Sequence, residues 1–160
     1  MIDEFYEINK DIFDNKKFNE LKNYRHHGIT RYDHCYNVAY ITYRITRKIS
    51  KNYKEITRAA LLHDFFTDEV DNMGSIKRFV THPKYALENS KKYFNISKLQ
   101  EDIILSHMFP VGLKVPKYKE SWLVDIVDNI SSIYERMMAV KEELVTAATF
   151  VLVLIMSYIK

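Results

Sequence analysis

Residues 53–66 read YKEITRAALLHDFF, and this segment decides the fold class. Its apolar residues recur at steps of three and four, which is the spacing of one face of an α-helix. Leu61 and Leu62 extend the apolar surface around most of the circumference, so the segment predicts a helix at the centre of a bundle. The residues on the predicted face are Ile56, Ala59, Ala60, His63 and Phe66.

The composition favours an all-α protein. The 160-residue chain has three glycines and three prolines, where average usage would give roughly ten and eight. An all-β fold needs more turn residues than this. Hydrophobic residues make up 47% of the chain and charged residues 28%, which is typical of a globular protein. Since no linker or repeat divides the chain, residues 1–160 are predicted to form a single-domain helical bundle.

The charge, the cysteine content and the C-terminal segment narrow down the binding partners and the location that can be expected for this protein. The net charge of +3 comes from scattered basic residues and does not imply nucleic-acid binding. One cysteine, Cys35, cannot form an internal disulfide, and no apolar leader opens the sequence, which predicts a cytoplasmic protein. Residues 144–159 are uncharged but shorter than the roughly 20 residues of a membrane span. They predict a core helix or a subunit interface, such as a homodimer, ahead of membrane contact.

Four other stretches predict helices. Residues 32–49 place Val38, Ile41, Ile45 and Ile49 on one predicted buried face, which His34 extends towards the start of the helix. A long helix from about Glu120 is predicted to bury Trp122, Ile126, Ile130, Ile133 and Met137, and residues 144–159 to form one more helix. Between these stretches, Thr81 is predicted to cap a helix that starts with His82 and Pro83.

Four histidines stand where a structural role is hard to explain. His34, His63 and His107 fall on faces that should otherwise be apolar, and His82 is predicted at a helix start. One buried imidazole can be satisfied by a donor and an acceptor. Four of them favour a shared metal ion, because histidine is the commonest metal ligand.

Aspartates occur in the same apolar surroundings. Asp64 follows His63 in a helix that is apolar on most sides, and a buried carboxylate needs a positive partner. Asp125 and Asp128 raise the same question in the stretch WLVDIVDNI. Helical spacing does not separate these two. Capping or a salt bridge to a neighbouring Lys or Arg is the favoured explanation for one aspartate, but not for both.

The ordered set resembles the HD-domain superfamily of metal-dependent phosphohydrolases, over about residues 27–136. That pattern has a first His, an adjacent His-Asp pair and a distant Asp, and members that bind two metals add two histidines. The resemblance implies a helical bundle of the HD type and selects Asp128 over Asp125. The metal ligands that it implies are His34, His63, Asp64, His82, His107 and Asp128.

The implied chemistry is hydrolysis at phosphorus. Imidazole and carboxylate ligands suit divalent transition metals, here two ions of Fe or Mn, with Co, Ni or Zn as alternatives. Asp64 is the predicted catalytic bridge, because a carboxylate can offer one oxygen to each ion. A metal-bound hydroxide would then attack a small phosphorylated substrate, with a nucleotide or dinucleotide as the expected class.

The predicted substrate contacts are basic. Arg31 lies one helical turn before His34, His27 is expected at the entrance, and Lys117 adds positive charge from a loop. Many relatives have lysines where this chain has Thr67 and Asn129. The alternative of a regulatory domain that binds metal and nucleotide without turnover therefore remains. So do a diiron oxygenase of the HD type and a helical interaction domain with satisfied histidines.

Overall fold

The computed structural model describes residues 2–26, 28–70 and 73–158, and almost all of its regular structure is helical. Two short strands pair as an antiparallel ribbon, with Arg25 opposite Thr30. The all-α prediction is therefore confirmed. In chain order the elements are α1 (Ile2–Phe13), α2 (Lys16–Asn19), a 3-10 turn (Glu20–Asn23), β1 (Arg25–His26), β2 (Ile29–Thr30), α3 (Arg31–Ile49), α4 (Tyr53–Leu62), α5 (Ser75–Tyr93), α6 (Lys98–Ser106) and α7 (Lys119–Tyr158).

Helix α4 is the centre of the bundle, as its sequence predicts. It packs mainly against α3 and α6 and also contacts α1, α5 and α7. Ile56, Leu61 and Leu62 are completely buried. The helix ends at Leu62, so His63 and Asp64 lie just beyond its last turn. The prediction of a helix over residues 53–66, which would contain both residues, is therefore wrong at its end. Both side chains are buried in the middle of the bundle.

The buried face of α3 differs from the predicted one. Val38 is buried, but Ile41, Ile45 and Ile49 are exposed. Tyr43 lies in the core instead, where its ring packs against Phe5. An aromatic ring buries more apolar surface than an isoleucine, and the Tyr43 hydroxyl donates a hydrogen bond to Glu4 at 2.7 Å. The helix therefore turns its aromatic and polar residues inward.

Helix α7 also buries the face opposite to the predicted one. The predicted residues Trp122, Ile126, Ile130, Ile133 and Met137 are all exposed. The face in contact with the bundle is largely polar, because α7 supplies side chains to the interior site. Its buried residues are Ser121, Val124, Asp125, Val127, Asp128, Ser131 and Glu135.

The prediction of a separate helix over residues 144–159 is wrong, since α7 continues unbroken from Lys119 to Tyr158. Residues 144–150 are exposed, which excludes the core-helix interpretation for them. The side chains from residue 151 onward, and residues 159–160 altogether, lie outside the described part of the chain. Among the described residues, no helix has the length and apolar character to cross a membrane.

Helix α5 begins earlier than predicted. It starts at Ser75, so His82 lies inside the helix and not at its mouth, and Pro83 is also internal. The Thr81 hydroxyl does not cap the helix but donates to the main-chain carbonyl of Lys77 at 2.7 Å. A threonine can make this internal bond as readily as a cap, which is why sequence alone misplaced the start of the helix.

The turn of the β-ribbon requires a glycine. Gly28 has a positive φ of 95°, which other residues rarely adopt. A Cβ atom at this position would lie 2.6 Å from the Cβ of Ala139 on α7. The carbonyl of Gly28 accepts a hydrogen bond from the Arg25 guanidinium at 3.2 Å. The turn thus fixes Arg25 beside α7.

Candidate metal centre

Five helices or their ends bring the six predicted ligands together in the interior. Each is at most 5% exposed, although they are spread over 95 positions of the sequence from 34 to 128. The contributing elements are α3 (His34), the end of α4 (His63 and Asp64), α5 (His82), the end of α6 (His107) and α7 (Asp128).

Four of these residues form a first group. The Nε2 atom of His34 lies 2.9 Å from Oδ1 of Asp128 and 3.3 Å from Nε2 of His63. His63 Nε2 is 3.5 Å from the same Asp128 oxygen and 3.9 Å from Oδ2 of Asp64. Ligand atoms around one transition-metal ion stand about 3 Å apart when each is about 2.1 Å from the metal. Within the first group, the ligand atoms of His34, His63 and Asp64 lie close enough together to hold a metal ion, and Asp128 lies beside the two histidines.

A second group shares Asp64 with the first. Nε2 of His82 lies 3.0 Å from Nε2 of His107, and both approach Oδ1 of Asp64, at 3.2 and 3.4 Å. The other oxygen of Asp64, Oδ2, faces His63 of the first group. This arrangement is the one that a carboxylate bridging two ions needs.

The hydrogen bonds of the imidazoles suit them to bind a cation. The Nδ1 atoms of His63, His82 and His107 lie 2.8, 3.0 and 2.8 Å from the carbonyl oxygens of Ala60, Arg78 and Ile104. A carbonyl can only accept, so Nδ1 carries the hydrogen and Nε2 of the neutral ring has a lone pair. The facing Nε2 atoms of His82 and His107 would repel each other across 3.0 Å. A cation between them removes the repulsion.

The pKa values agree with this donor set. Burial lowers the pKa of His107, which favours the neutral ring that a metal requires. Burial opposes ionisation of Asp64 and Asp128, but neighbouring imidazoles, His63 foremost, outweigh it and hold both carboxyl pKa values below the ordinary range. These directions match a neutral nitrogen ligand at His107 and ionised oxygen ligands at Asp64 and Asp128. Burial lowers the pKa of His63, but Asp64 and Asp128 outweigh this effect and raise that pKa, so a metal ion would displace a proton there.

Glu135 is a site residue that the sequence did not reveal. Its Oε2 lies 2.8 Å from Nδ1 of His34, and its Oε1 accepts from the Asn37 amide at 3.3 Å. Burial lowers the pKa of His34, but hydrogen bonds to Asp128 and Glu135 outweigh this effect and raise the pKa to about 10. Glu135 follows Asp128 by seven residues, or two helical turns. The spacing therefore indicates that both side chains lie on the same face of the helix.

The structure brings Asp128, and not Asp125, into the cluster. Asp125 lies one turn away, where its Oδ1 is 3.3 Å from the Asn129 amide. Burial and, secondarily, the charge of Asp128 raise the pKa of Asp125 to about 6. Asp125 belongs to none of the three-residue groups that could hold a metal.

A cavity of about 430 Å³ opens over the cluster and is lined by arginines. Arg31, the predicted phosphate contact, is one of these arginines. Its guanidinium also donates a hydrogen bond to the Phe66 carbonyl at 2.8 Å. The sequence did not reveal Arg25, Arg78 and Arg136 as residues of this cavity, although Arg78 precedes His82 by one turn on α5. The charged residues around this cavity are Arg25, Arg31, Asp64, Arg78, Asp128 and Arg136.

Lys117, another predicted substrate residue, does not line this cavity. Lys117 lines a different one with Lys98, Glu101 and Asp102. Its main-chain N–H donates to Asp102 Oδ2 at 2.8 Å, which ties the loop to α6. His27 lies outside the described residues.

Comparison with known proteins identifies the family. A family model described as the HD domain matches residues 31–133, more than half of the chain and all six candidate ligands. The chain belongs to the HD-domain family. This HD-domain membership agrees with the all-α bundle and supports a place in a superfamily of metal-dependent hydrolases. Neither the curated proteins nor the solved structures contain a match to the chain.

Replacing Glu135 is expected to weaken metal binding, because Glu135 orients His34 and accepts its Nδ1 hydrogen. Partners of this kind typically contribute about 10- to 100-fold to metal affinity. Competition with a chromophoric chelator should show a loss of this size for Glu135→Ala and a smaller one for Glu135→Gln, which keeps an acceptor. Glu142→Ala, an exposed change on the same helix, is the control. Unchanged affinity in Glu135→Ala would show that His34 needs no orienting partner.

Proposed function

We propose that this HD-domain protein is a metal-dependent phosphohydrolase. It would cleave a phosphoester or phosphoanhydride bond in a small substrate, with a nucleotide or dinucleotide as the expected class. The observation that carries the proposal is one cavity in which a His/Asp cluster and four arginines meet. Cleavage at phosphorus needs both a source of activated water and cations that neutralise the phosphoryl oxygens.

The donor set fits two divalent metal ions. His34, His63, Asp64 and Asp128 would hold one, while Asp64, His82 and His107 would hold the other. Nitrogen and carboxylate ligands in this ratio suit Fe or Mn, and also Co, Ni or Zn. When bound, such ions lower the pKa of water enough to supply a nucleophile near neutral pH.

The arginines supply the sites for phosphoryl oxygens. The Nε–H groups of Arg31 and Arg78 are buried and, within the described chain, have no hydrogen-bond partner. A guanidinium presents a planar set of donors that matches the oxygens of a phosphate. Arg31 is held in place, since it lies 3.7 Å from the centroid of the Phe66 ring and bonds to the Phe66 carbonyl. Because the Arg31 side chain is already held in place, its remaining N–H donors would bind a phosphoryl oxygen without a further loss of side-chain freedom.

The size and charge of the cavity favour a small substrate with several negative charges. A volume of about 430 Å³ lies within the range of small-molecule sites. Arg25 and Arg136 extend the positive lining beyond Arg31 and Arg78. Phe66, Met108 and Ile133 add apolar walls that would pack against an uncharged part of the substrate, such as a base or sugar.

A substrate panel tests the proposal. Protein loaded with Mn²⁺ or Fe²⁺ should release product from at least one class among phosphomonoesters, phosphodiesters, nucleotides and dinucleotides. On that substrate, Arg78→Gln should lower kcat/KM by about tenfold or more, because a hydrogen bond to a charged group contributes about 1.5–3 kcal/mol. Lys84→Gln, on the same helix with its side chain 74% exposed, should leave kcat/KM unchanged.

Two other outcomes would replace the proposal. Nucleotide binding in calorimetry without any product would identify a regulatory domain, in line with the Thr67 and Asn129 departures. Oxygen uptake by the iron-loaded protein would identify an oxygenase.

A further inference from the structure

Helix α7 carries a continuous line of exposed apolar residues on the side away from the bundle. We call this line the outer seam, and its members follow one another at alternating steps of four and three. The first six are between 51% and 67% exposed. The outer seam consists of Ile126, Ile130, Ile133, Met137, Val140, Leu144 and Ala147, and its spacing continues in the sequence at Val151 and Leu154.

The spacing of the outer seam is that of a two-stranded coiled coil. A heptad with two apolar positions, a and d, gives these alternating steps of three and four. Each seam residue from Ile126 to Met137 follows a residue of the inner face by two positions, which is about 200° around the helix. The inner face is packed on the bundle, so the outer seam points away from it, except that the exposed side chain of Ile133 also lines the cavity over the metal centre. Exposed apolar surface of this length marks an interaction site.

We propose that a second copy of this chain pairs with the outer seam as an antiparallel coiled coil. In this arrangement a positions face d positions of the partner. Met137 faces Val140 of the partner subunit, Ile133 faces Leu144 of the partner subunit, and Ile130 faces Ala147 of the partner subunit. Two-fold symmetry repeats each pair, which makes six apolar layers. The part of α7 beyond the bundle thereby covers the exposed isoleucines on the bundle of the other copy.

The charges beside the outer seam select the antiparallel orientation. Arg136 and Glu143 occupy g positions, and Lys141 occupies an e position. Antiparallel pairing places Arg136, whose side chain also lines the cavity, beside Glu143 of the partner subunit, and symmetry repeats this attractive pair. Parallel pairing would place Arg136 beside Lys141 of the partner subunit, where like charges repel. Between residues 136 and 143, charges of both signs flank the outer seam, whereas a helix lying on lipid has a basic face opposite a wide apolar one.

Sedimentation of the full-length protein tests the pairing. The wild-type chain should sediment as a dimer at micromolar concentration. Val140→Glu puts a charge into the central layers and should raise the dimer dissociation constant by about 30-fold or more, the effect of losing an interface hot spot. Val140 is exposed in the single chain, so the variant should keep its fold and melting temperature. Ile76→Glu, at a residue on α5 that is 80% exposed, is the matched control and should remain dimeric.

Cysteine cross-linking tests the orientation, and the native Cys35 is buried and does not interfere. The double variant Ile133→Cys/Leu144→Cys should form a disulfide-linked dimer. Leu144→Cys alone should not, because antiparallel copies of residue 144 lie about 16 Å apart along the helix axis. A monomer at all concentrations, a dimer unaffected by Val140→Glu, or a dimer linked by Leu144→Cys alone would overturn the proposal. So would a monomer that sediments with phospholipid vesicles.

Discussion

Replacing Asp64 with asparagine is expected to abolish the proposed hydrolysis and to reduce the metal content of the protein. Asp64 directs one oxygen at His63 and the other at His82 and His107, so it belongs to both ligand groups. Asparagine offers one oxygen and an amide nitrogen that does not bind metals. Loss of a bridging ligand should lower kcat by at least about 10³-fold, since metal ions contribute several kcal/mol to transition-state stabilisation.

Metal analysis and kinetics on one preparation check this result. Asp64→Asn should contain fewer ions per chain than the wild type after purification without chelator. Asp68→Asn, an exposed change four residues further on, is the control and should keep both metal and activity. An Asp64→Asn protein with the full metal content and normal kcat would remove Asp64 from the centre of the proposed chemistry.

Truncation of Phe18 is expected to cause the largest loss of stability. Phe18 is fully buried on the short helix α2, and its ring centroid is 5.5 Å from those of Tyr32 and Phe65. Removing a buried phenylalanine ring costs about 3–5 kcal/mol, because apolar burial is lost and a cavity remains. Domains of this size are stable by about 5–15 kcal/mol, so Phe18→Ala should lose a large share of the total.

Urea denaturation of metal-free protein gives the free energy of unfolding for this comparison. Ile76→Ala, at an exposed residue of α5, should stay within about 0.5 kcal/mol of the wild type. A loss below about 1 kcal/mol for Phe18→Ala would contradict the structure, since it would mean that α2 is not packed on the core.

Helix content and the six candidate metal ligands were predictable because their signals can be read directly from the sequence. Few glycines and prolines, together with three-and-four spacing around Leu61, are enough to predict a helical bundle with α4 at its centre. The order of His34, His63, Asp64 and Asp128 is also visible in the sequence, and it matches the pattern of the HD-domain family. That residues 1–160 form one domain stays a prediction.

The faces of α3 and α7 were not predictable from hydrophobicity. Isoleucines mark the helical period on both helices, but a period does not say which side meets the bundle. On α7 the inward side carries Asp128 and Glu135, because their neighbours supply imidazoles that make burial of a carboxylate favourable. The apolar side of α7 therefore faces outward, which is the opposite of what its hydrophobic pattern predicts.

The arrangement of the site follows from packing between segments that are distant in sequence. Glu135 is 101 residues from His34, and the arginines of the cavity come from the β-ribbon, α3, α5 and α7. Local sequence specifies the residue types and the helices that carry them. Only the packing of five helices decides that these side chains share one interior, because a charge is tolerated there only when its partners arrive from other helices.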